Sequence, residues 1–112
     1  MAELKEITDE NYENEIFNSK DIWCVTFSAL SFCQPCKALH NVLLDIAKND
    51  KVPGIKFGTV ATEDKGINFS SDQVIKSVPT TKIFRGQEIL GTKLGFVPEK
   101  DFIEFVKSTA KI

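Results

Sequence analysis

Two cysteines separated by two residues, Cys33-Gln34-Pro35-Cys36, are the side chains of this sequence best suited to do chemistry. Spaced three apart across the first turn of a helix, they come to roughly 5–6 Å of one another, inside the range a disulfide requires. The pair can then cycle between dithiol and disulfide with little backbone movement. The residue nearest the helix start meets unpaired backbone N–H groups and the positive end of the helix dipole, and both favour thiolate over thiol. This makes Cys33 the nucleophile. Cys36, one turn in and less exposed, resolves a mixed disulfide by attacking Cys33 and releasing the reduced substrate. Pro35 lacks an N–H where that donor would be unpaired anyway, and it fixes the turn. A C-x-x-C pair can equally be half of a zinc site. Cys24 and His40 are the residues that would complete a Cys3His set, but His40 lies about two turns from Cys33, a rise of ~10 Å, too far for one tetrahedral ion. No metal is expected.

The elements that must hold this pair can be read on either side of it. Ile22-Trp23-Cys24-Val25-Thr26-Phe27 is rich in β-branched and aromatic residues with little polar alternation, which predicts a central strand covered on both faces and running towards Cys33. Cys24 within it reads as a buried, inert thiol, a regulatory role being the alternative. From Cys33 to about Lys48, Leu39, Val42, Leu43 and Ile46 recur at three- and four-residue spacing, an amphipathic helix that ends before Asn49 and Pro53. Leu4 to Ile7 is expected as a first strand. Thr8 then reads as the N-cap of a helix to about Asn18, with Asp9 and Glu10 in its first turn and Tyr12, Ile16 and Phe17 on one face. Ile55 to Ala61 reads as a strand, and Ser70 with Gln73 as a weak capping box for a short helix reaching Lys76. Thr80 to Phe84 and Glu88 to Leu94 form a hairpin around Arg85-Gly86-Gln87, with Gly86 at positive φ. Pro98 suits the start of a last helix carrying Phe102, Phe105, Val106 and Thr109 on one stripe. The order β-α-β-α-β-α-β-β-α predicts a mixed sheet covered on both faces.

The 112 residues have the length of one domain, expected over 1–112. With 42% hydrophobic and 27% charged residues the chain has the composition of a globular protein, not of a disordered or disulfide-scaffold one. Fourteen Lys and Arg against 16 Asp and Glu leave no basic stripe for a phosphate backbone, so nucleic acid is not an expected partner. The N-terminal residues are acidic without an apolar leader, and no stretch approaches the ~18 apolar residues of a membrane span. A cytoplasmic protein without membrane association is expected, where three cysteines are no disulfide framework because ordinary thiols stay reduced.

With its strand, dithiol motif and Val78-Pro79-Thr80 at the start of a later strand, the chain resembles the thioredoxin family over essentially its whole length. Cys33-Gln34-Pro35-Cys36-Lys37 is similar to that family's Cys-Gly-Pro-Cys-Lys. Phe32 stands where a Trp is usual, Ala29 fits the small residue at the preceding strand end, and Lys93-Leu94-Gly95 resembles the Lys-Val-Gly before the last helix. The resemblance implies a thioredoxin fold, an α/β structure with a central mixed sheet of about five strands flanked by four helices. It implies that Val78-Pro79-Thr80 is the cis-proline loop facing the dithiol, and that extended substrate backbone pairs beside Pro79 while Cys33 attacks. Val78, Gly95 and Phe96 would form the docking rim around Phe32. No bound cofactor is implied; the partners are disulfide-containing proteins and a thioredoxin-reductase-like electron donor, and a monomer is expected.

The match departs from the family at several further positions. Where thioredoxins carry a buried Asp, in Val-Asp-Phe, this chain has Val25-Thr26-Phe27, and matching the two requires one extra residue within Ala29-Leu30-Ser31. The lysine usual near that Asp is absent from the matching strand Lys56–Val60 unless Lys56 serves. Losing both partners together is nearly neutral for stability where losing one is not. Candidates for moving the proton of the resolving thiol are Thr26, which can hydrogen-bond but is no carboxylate base, His40, water, Glu63 and Asp64; a His has the near-neutral pKa this needs, the commoner reading of a His flanking a helix's core face being a solvated side chain. Gln34 replaces the usual Gly, in the dipeptide that tunes the redox potential. The expected function is reduction of protein disulfides, the alternative a thioredoxin-fold binding module with a weak or vestigial dithiol.

Overall fold

The computed structural model describes residues 3–112, so Met1 and Ala2 of the expected domain lie outside the described residues. Along the chain come β1 (Leu4–Ile7), a π-helical turn (Glu13–Phe17), β2 (Ile22–Ser28), α1 (Gln34–Lys48), β3 (Ile55–Ala61), α2 (Ile67–Asp72), β4 (Thr80–Arg85), β5 (Glu88–Leu94) and α3 (Glu99–Ala110). This is the expected order. The strands form one mixed sheet, β1-β3-β2-β4-β5, in which β1, β3, β2 and β5 run one way and β4, between β2 and β5, runs antiparallel to both. Strand β2 sits in the middle, between β3 and β4, and every residue after Ile22 is buried. That is why its sequence shows no polar alternation.

Side chains alternate along β2, and the two faces support separate cores. Cys24 shares one face with Leu39, Leu43 and Ile46 of α1, Phe57 and Ile83 of the sheet, and Phe102 and Val106 of α3. Trp23, Val25 and Phe27 point the other way, to Ile7, Ile16, Phe69 and Phe84. The β4–β5 hairpin closes through Gly86 at φ 61°, a left-handed turn conformation that glycine adopts without steric cost.

Two local expectations are corrected. No α-helix runs from Thr8 to Asn18: the Thr8 hydroxyl accepts the Glu10 N–H at 3.3 Å, and the helical backbone is a π turn closed by Asn18 N–H to the Glu13 carbonyl at 2.8 Å. Residues five apart fall on one side of a π turn but not of an α-helix. The wider turn lets Tyr12 and Phe17 both pack on Phe69, Tyr12 stacked at 4.3 Å and Phe17 edge-on at 6.0 Å between centroids. The second correction concerns α2. Ser70 is inside that helix, not at its cap, and its hydroxyl donates to the Gly66 carbonyl at 2.6 Å. The capping acceptor is the Asp9 carboxylate, which takes the N–H of Phe69 at 2.9 Å and of Asn68 at 3.2 Å. A donor pair satisfied from so far along the chain leaves no local signature.

Candidate active site

Helix α1 begins where β2 has delivered the chain to the carboxyl edge of the sheet. After Ser28 the backbone makes a tight loop in which the N–H groups of Phe32 and Cys33 donate to the Ala29 carbonyl at 3.3 and 3.0 Å. Cys33 is the N-cap of α1, extended at φ −99° and ψ 106°, and Pro35 lies in the first turn where a missing N–H costs nothing. Cys33 and Cys36 are joined in a disulfide with Cα atoms 5.2 Å apart, the separation anticipated from their spacing. The Cys36 N–H donates to Cys33 Sγ at 3.2 Å, so an unpaired helix-start donor is aimed at the sulfur that would carry negative charge in the reduced form. Cys33 retains 9% exposure and Cys36 none.

The start of β4 faces this turn. The Val78–Pro79 peptide is cis, and Cys33 Sγ lies 3.8 Å from the Val78 carbonyl oxygen. Val78 packs half-buried against Ala29, Cys33 and Cys36. Pro79 is buried, its carbonyl accepts the Gly95 N–H at 2.8 Å, and the Thr80 hydroxyl donates to the Ser77 carbonyl at 2.7 Å. Gly95 adopts φ 82°, which a residue with a Cβ rarely does. Val78, Pro79, Thr80 and Gly95 are thus brought to the dithiol or to its facing loop. Phe32, at 71% exposure, precedes the nucleophile, and Phe96 follows Gly95 half-exposed; Gln34, Pro35 and Lys37 are exposed on the first turn of α1.

The proton-transfer candidates separate. Thr26 is fully buried on the α1 side of the sheet, and its hydroxyl is 2.9 Å from that of Thr81, its partner across β2 and β4. The two hydroxyls satisfy one another where a carboxylate would need a charge partner. Lys56 does not serve there: it pairs with Trp23, three positions back along the strands, and its ammonium meets exposed Asp21 at 3.1 Å. His40, one turn beyond Cys36 on α1, is half-buried, its Nδ1 has no hydrogen-bond partner, and burial pushes its pKa below the ordinary histidine value. Glu63 is engaged by Ser31, whose hydroxyl donates at 2.6 Å and whose N–H donates at 3.4 Å. Sequence reasoning missed Thr81 and Ser31. The first shows only through strand register; the second lay within the segment carrying the extra residue.

Elsewhere, Cys24 is enclosed in the core, and burial pushes its thiol pKa far up, as an inert thiol requires. Among the described residues no group of three or more His, Cys, Asp and Glu side chains is placed to hold a metal ion, and no helix is long and apolar enough to cross a membrane.

Comparison with known proteins points the same way. The family model described as Thioredoxin matches residues 3–108. The thioredoxin of Buchnera aphidicola subsp. Acyrthosiphon pisum is 35% identical over 106 residues, covering 95% of each chain. The chloroplastic M-type thioredoxin of Chlamydomonas reinhardtii is 30% identical over 108 residues, 95% of this chain and 74% of that one. The thioredoxin of Allochromatium vinosum is 30% identical over 102 residues, covering 91% and 92%.

Proposed function

Since the chain belongs to the thioredoxin family and is a thiol–disulfide oxidoreductase, we propose that it reduces protein disulfides as one domain with Cys33 as nucleophile and Cys36 as resolving thiol. The observation that carries the assignment of roles is the cap: Cys33 Sγ, not Cys36 Sγ, receives a helix-start N–H and keeps a path to solvent. The Cys33 thiolate attacks one sulfur of a substrate disulfide, and the other leaves as a thiolate that takes a proton. Cys36, deprotonated, then attacks Cys33 Sγ; the substrate's second sulfur leaves, and two electrons have passed from the dithiol to the substrate. A dithiol or flavoprotein donor of the thioredoxin-reductase type returns the pair to its reduced state.

Val78, Pro79 and Gly95 supply the backbone edge for an extended substrate segment, with Phe32 and Phe96 as apolar contacts on either side. Gln34, Pro35 and Lys37 complete the loop around the nucleophile. His40 accepts the proton of Cys36, supported by its unpartnered ring nitrogen and its place one helical turn away; Thr26, held by Thr81, orders the buried wall beneath. The protein works as a monomer in the reducing environment of the cytoplasm, without a bound cofactor.

Two assays test this together. The wild type accelerates reduction of insulin by dithiothreitol, and Cys36→Ser captures stable mixed disulfides from a cell extract while Cys33→Ser captures none. Absence of both insulin reduction and captured partners would leave the binding-module alternative, which the retained dithiol disfavours.

A further inference from the structure

By the resemblance to the family, the loop from Ala29 to Phe32 carries one extra residue, within Ala29-Leu30-Ser31 and ahead of Phe32 and the nucleophile. A longer loop has more conformations to lose before Phe32 and Cys33 are placed. In this structure the loop is tied to the segment that leaves β3. The Ser28 carbonyl accepts both the N–H and the hydroxyl of Thr62, at 2.9 and 3.1 Å. One residue further, the carboxylate of Glu63 spans Ser31: Oε2 accepts the hydroxyl at 2.6 Å and Oε1 the N–H at 3.4 Å. The 2.6 Å bond has the length of a charge-assisted O–H···O contact. Leu30 of the loop and Glu63 both line a cleft of about 140 Å³ that is shared with Ser28 and Ala61. The next residue is Phe32, the most exposed large apolar side chain of the described residues.

We propose that Glu63 is a positioning residue of the exchange reaction: by gripping Ser31 it holds the lengthened loop so that Phe32 stands ready beside the dithiol for a protein substrate. The inference rests on the disulfide-reductase reading above. Cys33 Sγ is held independently, by its bond from Cys36 N–H, so the tie governs substrate docking and not the reactivity of the sulfur.

The test compares wild type, Glu63→Ala, Glu63→Gln, Ser31→Ala and the Ser31→Ala/Glu63→Ala double variant on two substrates, insulin and the small disulfide 5,5′-dithiobis(2-nitrobenzoate). Glu63→Ala raises KM for insulin about fivefold, the factor one net hydrogen bond is worth, while its rate on the small disulfide stays within about twofold. Ser31→Ala does the same. The double variant is no worse than either single, since both remove one interaction. Glu63→Gln, which keeps an oxygen for the Ser31 hydroxyl, recovers most of the loss. Amide exchange of Ser31 and Phe32, followed by NMR, quickens in Glu63→Ala and needs no activity to be read. Unchanged KM and exchange in Glu63→Ala, equal losses on both substrates, or losses that multiply in the double variant each overturn the proposal. A wild type that does not reduce insulin overturns the reductase reading instead, and the exchange data still decide whether the tie orders the loop.

Discussion

Cys33 and Cys36 are chemically identical residues made unequal by three positions of helix. One keeps a narrow path to solvent at the cap, and the other is sealed and donates its own N–H back to the first sulfur. That division was legible from spacing alone, because helix geometry fixes it. The surroundings of Cys36 were less so: a Thr in place of a carboxylate could be seen in Val25-Thr26-Phe27, but its bond to Thr81 depends on which residues β2 and β4 place opposite one another. Thr26 and Thr81 pair as hydroxyls where the family carries a carboxylate, so on the proton route proposed above it is the titration of His40 that should be felt. Burial disfavours its charged form, so its folded pKa lies below the value near 6.5 of an exposed histidine. His40 is then neutral, and able to accept a proton, throughout the neutral range. We expect the rate of mixed-disulfide resolution, followed by stopped flow from about pH 5 to 9, to show an acid limb below about pH 6.5 that is absent in His40→Gln. The same depression has a stability consequence: folding favours neutral His40, so its contribution is full above the unfolded pKa and is lost as pH falls through the folded one. A His40→Gln variant should therefore lose less Tm than wild type between pH 7 and 5.

Among the elements, those whose determinants are local were readable and those fixed by distant partners were not. Strands β3 and β5 span Ile55–Ala61 and Glu88–Leu94 as expected, and α1 follows the stripe of Leu39, Leu43 and Ile46 to its last turn. Helix α2 was misplaced because its cap comes from Asp9, about sixty residues earlier, while the suggestive Ser70 spends its hydroxyl on Gly66 within the helix. The π turn escaped notice for a similar reason: its pitch answers to Phe69, an α2 residue, and not to its own helix propensity. Asp9 therefore does for α2 what a local cap does elsewhere, with the difference that it also staples the start of the chain to the helix whose far end leads into Val78 and Pro79. Replacing it by Ala should cost about 1 kcal/mol of stability, the range of a lost N-cap. Asn, which keeps one acceptor oxygen, should recover most of that in denaturant unfolding. If Asp9→Ala unfolds at the wild-type midpoint, the cap contributes nothing and some other group satisfies the two amides.

At the scale of the molecule, the sheet separates two cores and carries the dithiol beyond the carboxyl end of β2. Cys33 follows the end of β2, and Pro79 precedes the start of antiparallel β4, so the dithiol and its facing loop meet because neighbouring strands run in opposite directions there. The α1–α3 face and the aromatic face around Phe69 are built from different residues with the backbone of β2 between them. Perturbations on opposite faces should consequently be independent. Ile46→Val in α1 and Phe69→Leu in α2 should each cost about 1 kcal/mol, and their sum should hold within about 0.5 kcal/mol in the double variant. Phe69→Leu with Phe84→Leu, rings 6.1 Å apart on one face, should depart from additivity because the second loss relaxes into the space left by the first. Urea unfolding of all three singles and both doubles reads this directly, with m-values checked for constancy. Coupling across the sheet as strong as coupling within the aromatic face would show that strain passes through β2. In that case core substitutions would also shift insulin KM, which in a sheet that isolates its faces they leave unchanged.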